Sequence, residues 1–174
     1  MPASSSAAPP NHATTLAMEP GRFRFALWQN VTFTIFTAQA TLDAGQRILQ
    51  VARGLSRSFP QGRSQVMFIA AGAPAPDAAT SELLSVIYDP EKSGIRCIAA
   101  VLEGAGFWAS GIRSRMTSMH IAAGNKMVLR TFDALDEVVS WLPDEHAKRT
   151  GVVLEPDALR AVLIHLRAQG TKAE

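Results

Sequence analysis

Hydrophobic and polar residues alternate in two short stretches near the start of the chain. In "RFRFALW" arginine alternates with phenylalanine, and in "VTFTIF" Val31, Phe33 and Ile35 alternate with threonines. A period of two is typical of strands that bury one face, and the intervening Gln29-Asn30 suits a turn. The pattern predicts an antiparallel hairpin at the start of the fold.

Beyond Thr41 the hydrophobic period becomes that of a helix. Thr41 is a suitable N-cap, and Pro60 with Gly62 predicts the end of the segment. The apolar positions that recur at helical spacing are Ile48, Ala52, Leu55 and Phe59. We therefore expect one amphipathic helix between the hairpin and the next strand.

The rest of the chain repeats the order of strand and then helix. Continuous apolar runs, typical of strands covered on both faces, occur in "SQVMFIAA" and "IRCIAAVL", and "KMVLRTF" is predicted to be the last strand. The helices that follow are indicated by apolar residues at helical spacing: Leu83, Leu84 and Ile87; Trp108, Ile112, Met116 and Met119; Leu135, Val138, Val139 and Leu142. Asp133 is the predicted N-cap of the last of these helices, and Pro143 its predicted end.

This order of elements predicts an α/β fold with a five-stranded mixed sheet. The N-terminal hairpin is antiparallel and the other strands are mostly parallel, with about four helices plus a C-terminal helix. Residues 1–21, rich in Ala, Ser and Pro, are expected to form a disordered arm, and residues 22–143 the α/β domain. Residues 144–174 are predicted to be a polar spacer and an amphipathic helix that docks on its own domain, with Leu159, Val162, Leu163 and Leu166 on its apolar face.

Composition limits the classes of function. The chain has 174 residues, 47% of them hydrophobic, and a net charge of +2, which is too weak to predict binding to nucleic acid or to a membrane. The N-terminus lacks the charged and apolar regions of a secretory signal, and no apolar run approaches the length of a membrane span. We expect a cytoplasmic protein.

Residues that carry chemistry do not form a recognisable constellation. Cys97 lies in an apolar run and is interpreted as a small buried hydrophobic residue. None of the four histidines has another His or Cys at metal-ligand spacing. The sequence therefore predicts no catalytic residues, no metal and no cofactor, and hence a protein that is not an enzyme.

A glycine-bearing turn offers the main alternative. Gly104, Gly106 and Ala109 match the loose form of a dinucleotide-binding turn between a strand and a helix. Phe107 and Trp108, however, place bulk where backbone amides should be open to a phosphate. We interpret the glycines as a strand-to-helix joint. The alternative is a small-ligand or nucleotide-binding protein that uses the Gly104–Gly106 turn.

Four polar residues are candidates for contact with a protein partner. Arg113 and Arg115 project from the helix after the glycine turn, where they form a solvated face or bind an acidic surface. Thr80 and Ser81 stand at the predicted start of a short helix, as a cap or as acceptors of a phosphoryl group.

The closing pattern "LRTFDALDEVVSWLP" resembles that of a known protein family. With the order of elements, it resembles the STAS domain of bacterial anti-sigma-factor antagonists, which often ends in a strand, a Phe and an acidic-capped helix that finishes in Trp-Leu. The matching residues are Phe132, Asp136, Glu137, Trp141 and Leu142. The resemblance spans about residues 22–143 and implies a non-enzymatic regulatory or protein-interaction module with a protein partner.

The same resemblance directs attention to the start of the second helix. STAS domains usually carry there a Ser or Thr, preceded by Asp and followed by Ser-Gly, that a partner kinase phosphorylates. Here the segment reads "GAPAPDAATSELL", which departs from that pattern. Thr80 and Ser81 are therefore retained as candidate partner contacts and not as an assigned phosphorylation site.

Overall fold

The computed structural model describes residues 12–172 and contains one six-stranded sheet with helices on both faces. The strands are β1 (Thr14–Glu19), β2 (Phe23–Trp28), β3 (Val31–Phe36), β4 (Arg63–Ala70), β5 (Ile95–Glu103) and β6 (Val128–Phe132). The helices are α1 (Leu42–Ser58), α2 (Ala78–Leu84), α3 (Pro90–Ser93), α4 (Gly106–Ala122), α5 (Leu135–Thr150) and α6 (Pro156–Gln169), with a 3-10 turn at Ser85–Tyr88.

The strands lie side by side in chain order from β1 to β6. β1, β2 and β3 pair antiparallel, whereas β3, β4, β5 and β6 pair parallel. In register across the parallel part, Phe33 lies beside Val66 and Val66 beside Ala99. The predicted α/β class and mixed sheet are confirmed, including the antiparallel hairpin.

The predicted number of strands is wrong, because the sheet has six strands and not five. The additional strand, β1, lies within the segment for which the sequence predicted a disordered arm. Its sequence, TTLAME, has no clear alternation, and the strand is held by its pairing with β2, in which Thr14 faces Leu27 and Glu19 faces Phe23. Residues 1–11 of the predicted arm lie outside the described residues.

Two hydrophobic cores flank the sheet. On one face, α1, α2 and α4 contribute Ile48, Leu84 and Ile112 to a core with Phe25. On the other face, α5 and α6 pack against the sheet through residues that include Leu142, Leu159, Val162, Leu163 and Leu166. The C-terminal helix therefore docks on its own domain, as predicted. No helix within residues 12–172 has the length and apolarity that a bilayer crossing requires.

The end of α5 differs from the prediction, because the helix continues through Pro143 to Thr150. His146 and Thr150 follow Leu142 at intervals of four residues and are buried, so the inward face continues beyond the proline. Burial along this face offsets the backbone hydrogen bond that a proline removes. The predicted polar spacer is thus mostly helix.

The start of α5 also differs from the prediction. Ala134 is the N-cap, and the Glu137 carboxylate accepts from the backbone N–H groups of Asp133 and Ala134 at 3.2 and 3.4 Å. Asp133 is therefore not the cap, because a glutamate one turn into the helix reaches back to these amides. By contrast, Thr41 caps α1 as predicted, accepting from the Ala44 amide at 3.2 Å.

Replacement of Leu163 by Ala tests the docking of α6. Leu163 is fully buried, so we expect the free energy of unfolding to fall by about 2–5 kcal/mol. The control is Ile164→Ala on the same helix, where the side chain is 55% exposed and the expected change is below about 1 kcal/mol. Urea denaturation measures both, and equal effects would contradict the docked helix.

Candidate functional site

The carboxyl ends of the four parallel strands meet at one edge of the sheet. Four chain segments leave this edge for helices, after Phe36, Ala70, Glu103 and Phe132. In open α/β sheets, ligands bind beyond the carboxyl ends of the strands. This carboxyl edge is therefore the part of the fold in which a ligand site is expected.

At the glycine turn, the indole of Trp108 occupies the side that faces Gly104. A Cβ atom at Gly104 would lie 2.7 Å from the Trp108 ring, so the glycine is explained by close packing of that ring. The Trp108 Nε1 donates to the Ala73 carbonyl at 2.9 Å, which fixes the indole against the loop after β4. Gly106 starts α4 with φ of +74°. This geometry is that of a strand-to-helix joint.

Phe107 points away from this packing and is 96% exposed. It lies in the first turn of α4, between the left-handed Gly106 and the anchored Trp108. A phenyl ring in this setting is held on an ordered backbone while its apolar surface remains in water. The helical periodicity of the sequence placed Trp108 on the inward face of this helix, but sequence reasoning treated Phe107 only as bulk beside the turn.

Arg113 is separate from the other partner candidates. Its guanidinium pairs with the carboxylate of Asp133, which joins α4 to the loop between β6 and α5. Arg160 pairs with Asp136, and Arg167 lies 2.7 Å from Glu103, so ion pairs also connect α6 to this edge. Exposed pairs of this kind contribute between zero and about 1 kcal/mol each.

The predicted cap at Thr80 or Ser81 is replaced by Asp77. The Asp77 carboxylate accepts from the Thr80 amide at 2.7 Å, because the helix begins one residue after this aspartate. This hydrogen bond, and then the nearby Arg115 charge, lower the pKa of Asp77. Thr80 itself is fully buried, so its side chain is not available to a partner.

Ser81 and Arg115 are the two predicted site residues that the structure brings together. The Ser81 hydroxyl donates to the Asp77 carbonyl at 2.7 Å, and Arg115 of α4 donates to the Ser81 oxygen. The interaction links α2 with α4, although the residues are 34 positions apart. Ser81 thus orients the guanidinium of Arg115.

A small cavity lies beside Arg115, between α4, α2 and the ends of β3 and β4. Its volume is about 70 Å³, and its walls are almost entirely apolar. Phe36 and Met67 contribute from the sheet, and Ile112 and Met116 from α4. The sequence did not predict this cavity, because its walls come from distant segments of the chain.

At the opposite, amino edge of the parallel strands, a buried hydrogen-bond network surrounds His146. The His146 Nδ1 lies 2.5 Å from the Ser64 hydroxyl, and its Nε2 lies 2.9 Å from the Asn30 side-chain oxygen. The Ser64 hydroxyl is also 2.9 Å from the Cys97 sulfur. Sequence reasoning missed this group, because its members are dispersed over the chain and carry no spacing signature.

The arrangement pairs a hydroxyl with an imidazole but excludes any substrate. All four side chains are buried, with at most 2% of any residue exposed. Burial raises the pKa of Cys97 to about 11 and lowers that of His146 to about 4, so both groups are neutral near pH 7. The network therefore satisfies buried polar groups, and the interpretation of Cys97 as buried is confirmed.

His146 makes stability depend on pH. Its pKa is about 4 in the folded chain and 6.5 in the absence of burial, so the unfolded chain takes up the proton first as pH falls. We expect this group to lower the free energy of unfolding by about 2 kcal/mol between about pH 7.5 and about pH 5. Urea unfolding across this range measures the slope.

Two variants test whether His146 causes this dependence of the free energy of unfolding on pH. His146→Gln is expected to lose this part of the pH dependence, whatever its effect on absolute stability. His165→Gln, at an exposed position of α6, is expected to keep it. An unchanged slope in His146→Gln would show that another group titrates.

Comparison of the chain with protein-family models, with curated proteins and with solved structures gave no match. The described part of the chain contains no group of three His, Cys, Asp or Glu side chains that could hold a metal ion. The carboxyl edge carries two features that bear on function, the exposed Phe107 and the cavity beside Arg115.

Proposed function

We propose that this chain is a non-enzymatic, STAS-like regulatory module of the cytoplasm that binds a protein partner through the first turn of α4. The observation that carries the proposal is the 96% exposure of Phe107 at the carboxyl edge of the sheet. Aromatic side chains dominate the energetics of protein interfaces, and they are most effective when a rigid backbone presents them.

The surroundings of Phe107 support this role. Trp108 is hydrogen-bonded to the Ala73 carbonyl and packs over Gly104, so the backbone beside Phe107 is fixed before a partner arrives. Burial of a phenyl ring in a partner's apolar socket contributes about 1.5–3 kcal/mol. The backbone adds little to the conformational entropy lost on binding, because it is already fixed.

The titratable groups of the described residues support a role without catalysis. At the carboxyl edge, the Glu103, Asp133 and Asp136 carboxylates are each paired with an arginine. At the amino edge, His146 and Cys97 are neutral and closed to solvent. An acid–base or nucleophilic mechanism needs a group that combines a suitable pKa with access to substrate.

Two of the residues that carry the STAS resemblance, Phe132 and Trp141, form a cluster with Arg130. The rings of Phe132 and Trp141 lie 5.3 Å apart, and Arg130 stacks over both, at 5.1 and 5.9 Å from their centroids. The cluster packs β6, the last strand of the sheet, against α5. In this proposal the Trp-Leu ending of the motif maintains that contact, and Phe107 is the residue that binds.

An affinity pull-down from the native host, with mass spectrometry, tests the partner surface. We expect wild-type chain to retain a partner and Phe107→Ala to bind it about 10- to 100-fold more weakly. The matched control is Ile121→Ala, at the other end of the same helix, where the side chain is 60% exposed and binding should persist. Titration of the purified partner then gives the affinities.

Two outcomes would contradict the proposal. Equal retention by Phe107→Ala and wild type would place the partner surface elsewhere. Saturable stabilisation of the chain by a nucleotide, abolished in Gly106→Val, would instead favour a ligand site at the Gly104–Gly106 turn. Thermal melting of each variant shows whether it remains folded.

A further inference from the structure

The cavity beside Arg115 has the location and composition of a small-ligand site. It opens at the carboxyl ends of β3 and β4, where α/β sheets bind ligands. Its walls include Met67, Met116 and Met119, whose flexible side chains adapt to the shape of an occupant. The apolar walls favour an aliphatic group over water.

One charged side chain, that of Arg115, lines this cavity. Its Nε atom is buried and has no hydrogen-bond partner among the described residues, whereas a terminal nitrogen of the same group donates to Ser81. A buried N–H without an acceptor is costly, and an anionic oxygen is the acceptor that a guanidinium binds most strongly. The cavity thus combines an apolar chamber with an unsatisfied cationic donor.

The size of the cavity limits the ligand. A cavity of about 150 Å³ holds benzene, so the 70 Å³ here accommodates about three carbon atoms. A branched aliphatic group of that size, with a carboxylate at the wall formed by Arg115, matches both features. We propose that the cavity binds short branched-chain carboxylic acids, with the alkyl group among the methionines and the carboxylate on the Arg115 guanidinium.

The nearby charges are compatible with such a ligand. The Asp77 carboxylate is close enough for Arg115 to lower its pKa, but it accepts the Thr80 amide at 2.7 Å as the cap of α2. Ser81 holds the guanidinium from the same helix. The site does not depend on Phe107 or on a protein partner. The ligand site and the partner surface are therefore tested independently of each other.

Titration with isovalerate, followed by NMR of methyl-labelled methionine, tests the site. We expect saturable shifts of the Met67, Met116 and Met119 methyl signals, with a dissociation constant between about 10 μM and 1 mM. Isovaleramide, which has the same shape but no charge, should bind at least about 10-fold more weakly. Acetate, which lacks the branched alkyl group, should give no saturable shift.

Three variants assign the binding to this cavity. Arg115→Met keeps the aliphatic stem but removes the charge, and should weaken isovalerate binding at least about 10-fold. Ala38→Leu fills the cavity from a partly exposed wall position and should abolish binding while the chain stays folded. Arg113→Met, which removes a neighbouring arginine that pairs with Asp133, should bind like wild type.

The proposal is overturned if the methionine signals do not respond to isovalerate at about 50 mM. It is also overturned if isovaleramide binds as tightly as isovalerate, or if Arg115→Met and Arg113→Met weaken binding equally. Thermal melting of the free variants confirms that each is folded before the titration.

Discussion

The burial of the central strands on both faces is the constraint on which the rest of the structure depends. Val66 of β4 and Ala99 of β5 have no exposed surface, because α1, α2 and α4 cover one face of the sheet and α5 and α6 the other. Polar groups in these strands must therefore find partners inside the protein. Thr32 and Thr34 do so through Gln65, which joins β3 to β4.

The same constraint explains the amino edge of the sheet. Arg63 has no exposed surface, donates to the Ser93 carbonyl at 2.6 Å, and its pKa is lowered to about 10 by burial. His146, Ser64 and Asn30 satisfy one another nearby. Arg63 Nε and one of its terminal nitrogens have no partner among the described residues, but the side chain is closed to solvent. The exposed ring and the open cavity lie instead at the carboxyl edge.

The sequence predicted those strands, helices and caps that depend on residues close together in the chain. The segments "SQVMFIAA" and "IRCIAAVL" form buried strands because most of their residues are apolar, and Thr41 caps α1 through an amide three residues away. β1 escaped prediction because it is held by pairing with β2 and not by its own hydrophobicity. Likewise α5 continues past Pro143 because tertiary burial of His146 outweighs the local stop signal.

In the candidate site, too, the sequence predicted only what depends on residues close together in the chain. The strand-to-helix joint at Gly104 was predicted from adjacent residues, and the ring that packs on it, Trp108, is only four positions away. The proximity of Ser81 and Arg115 depends on how α2 and α4 pack over the sheet, which no short window of sequence contains. The cavity has the same origin, since its walls combine four separate segments.

Helix α4 connects the two proposals. Phe107 and Arg115 are eight residues apart on this helix, which places them about 12 Å apart along its axis. A ligand in the cavity would contact α4 through Ile112, Arg115 and Met116, and a partner would contact its first turn. Any change in partner affinity on ligand binding must then appear as an equal change in ligand affinity on partner binding. If the ligand does not alter the position or order of α4, that coupling is zero however tightly it binds.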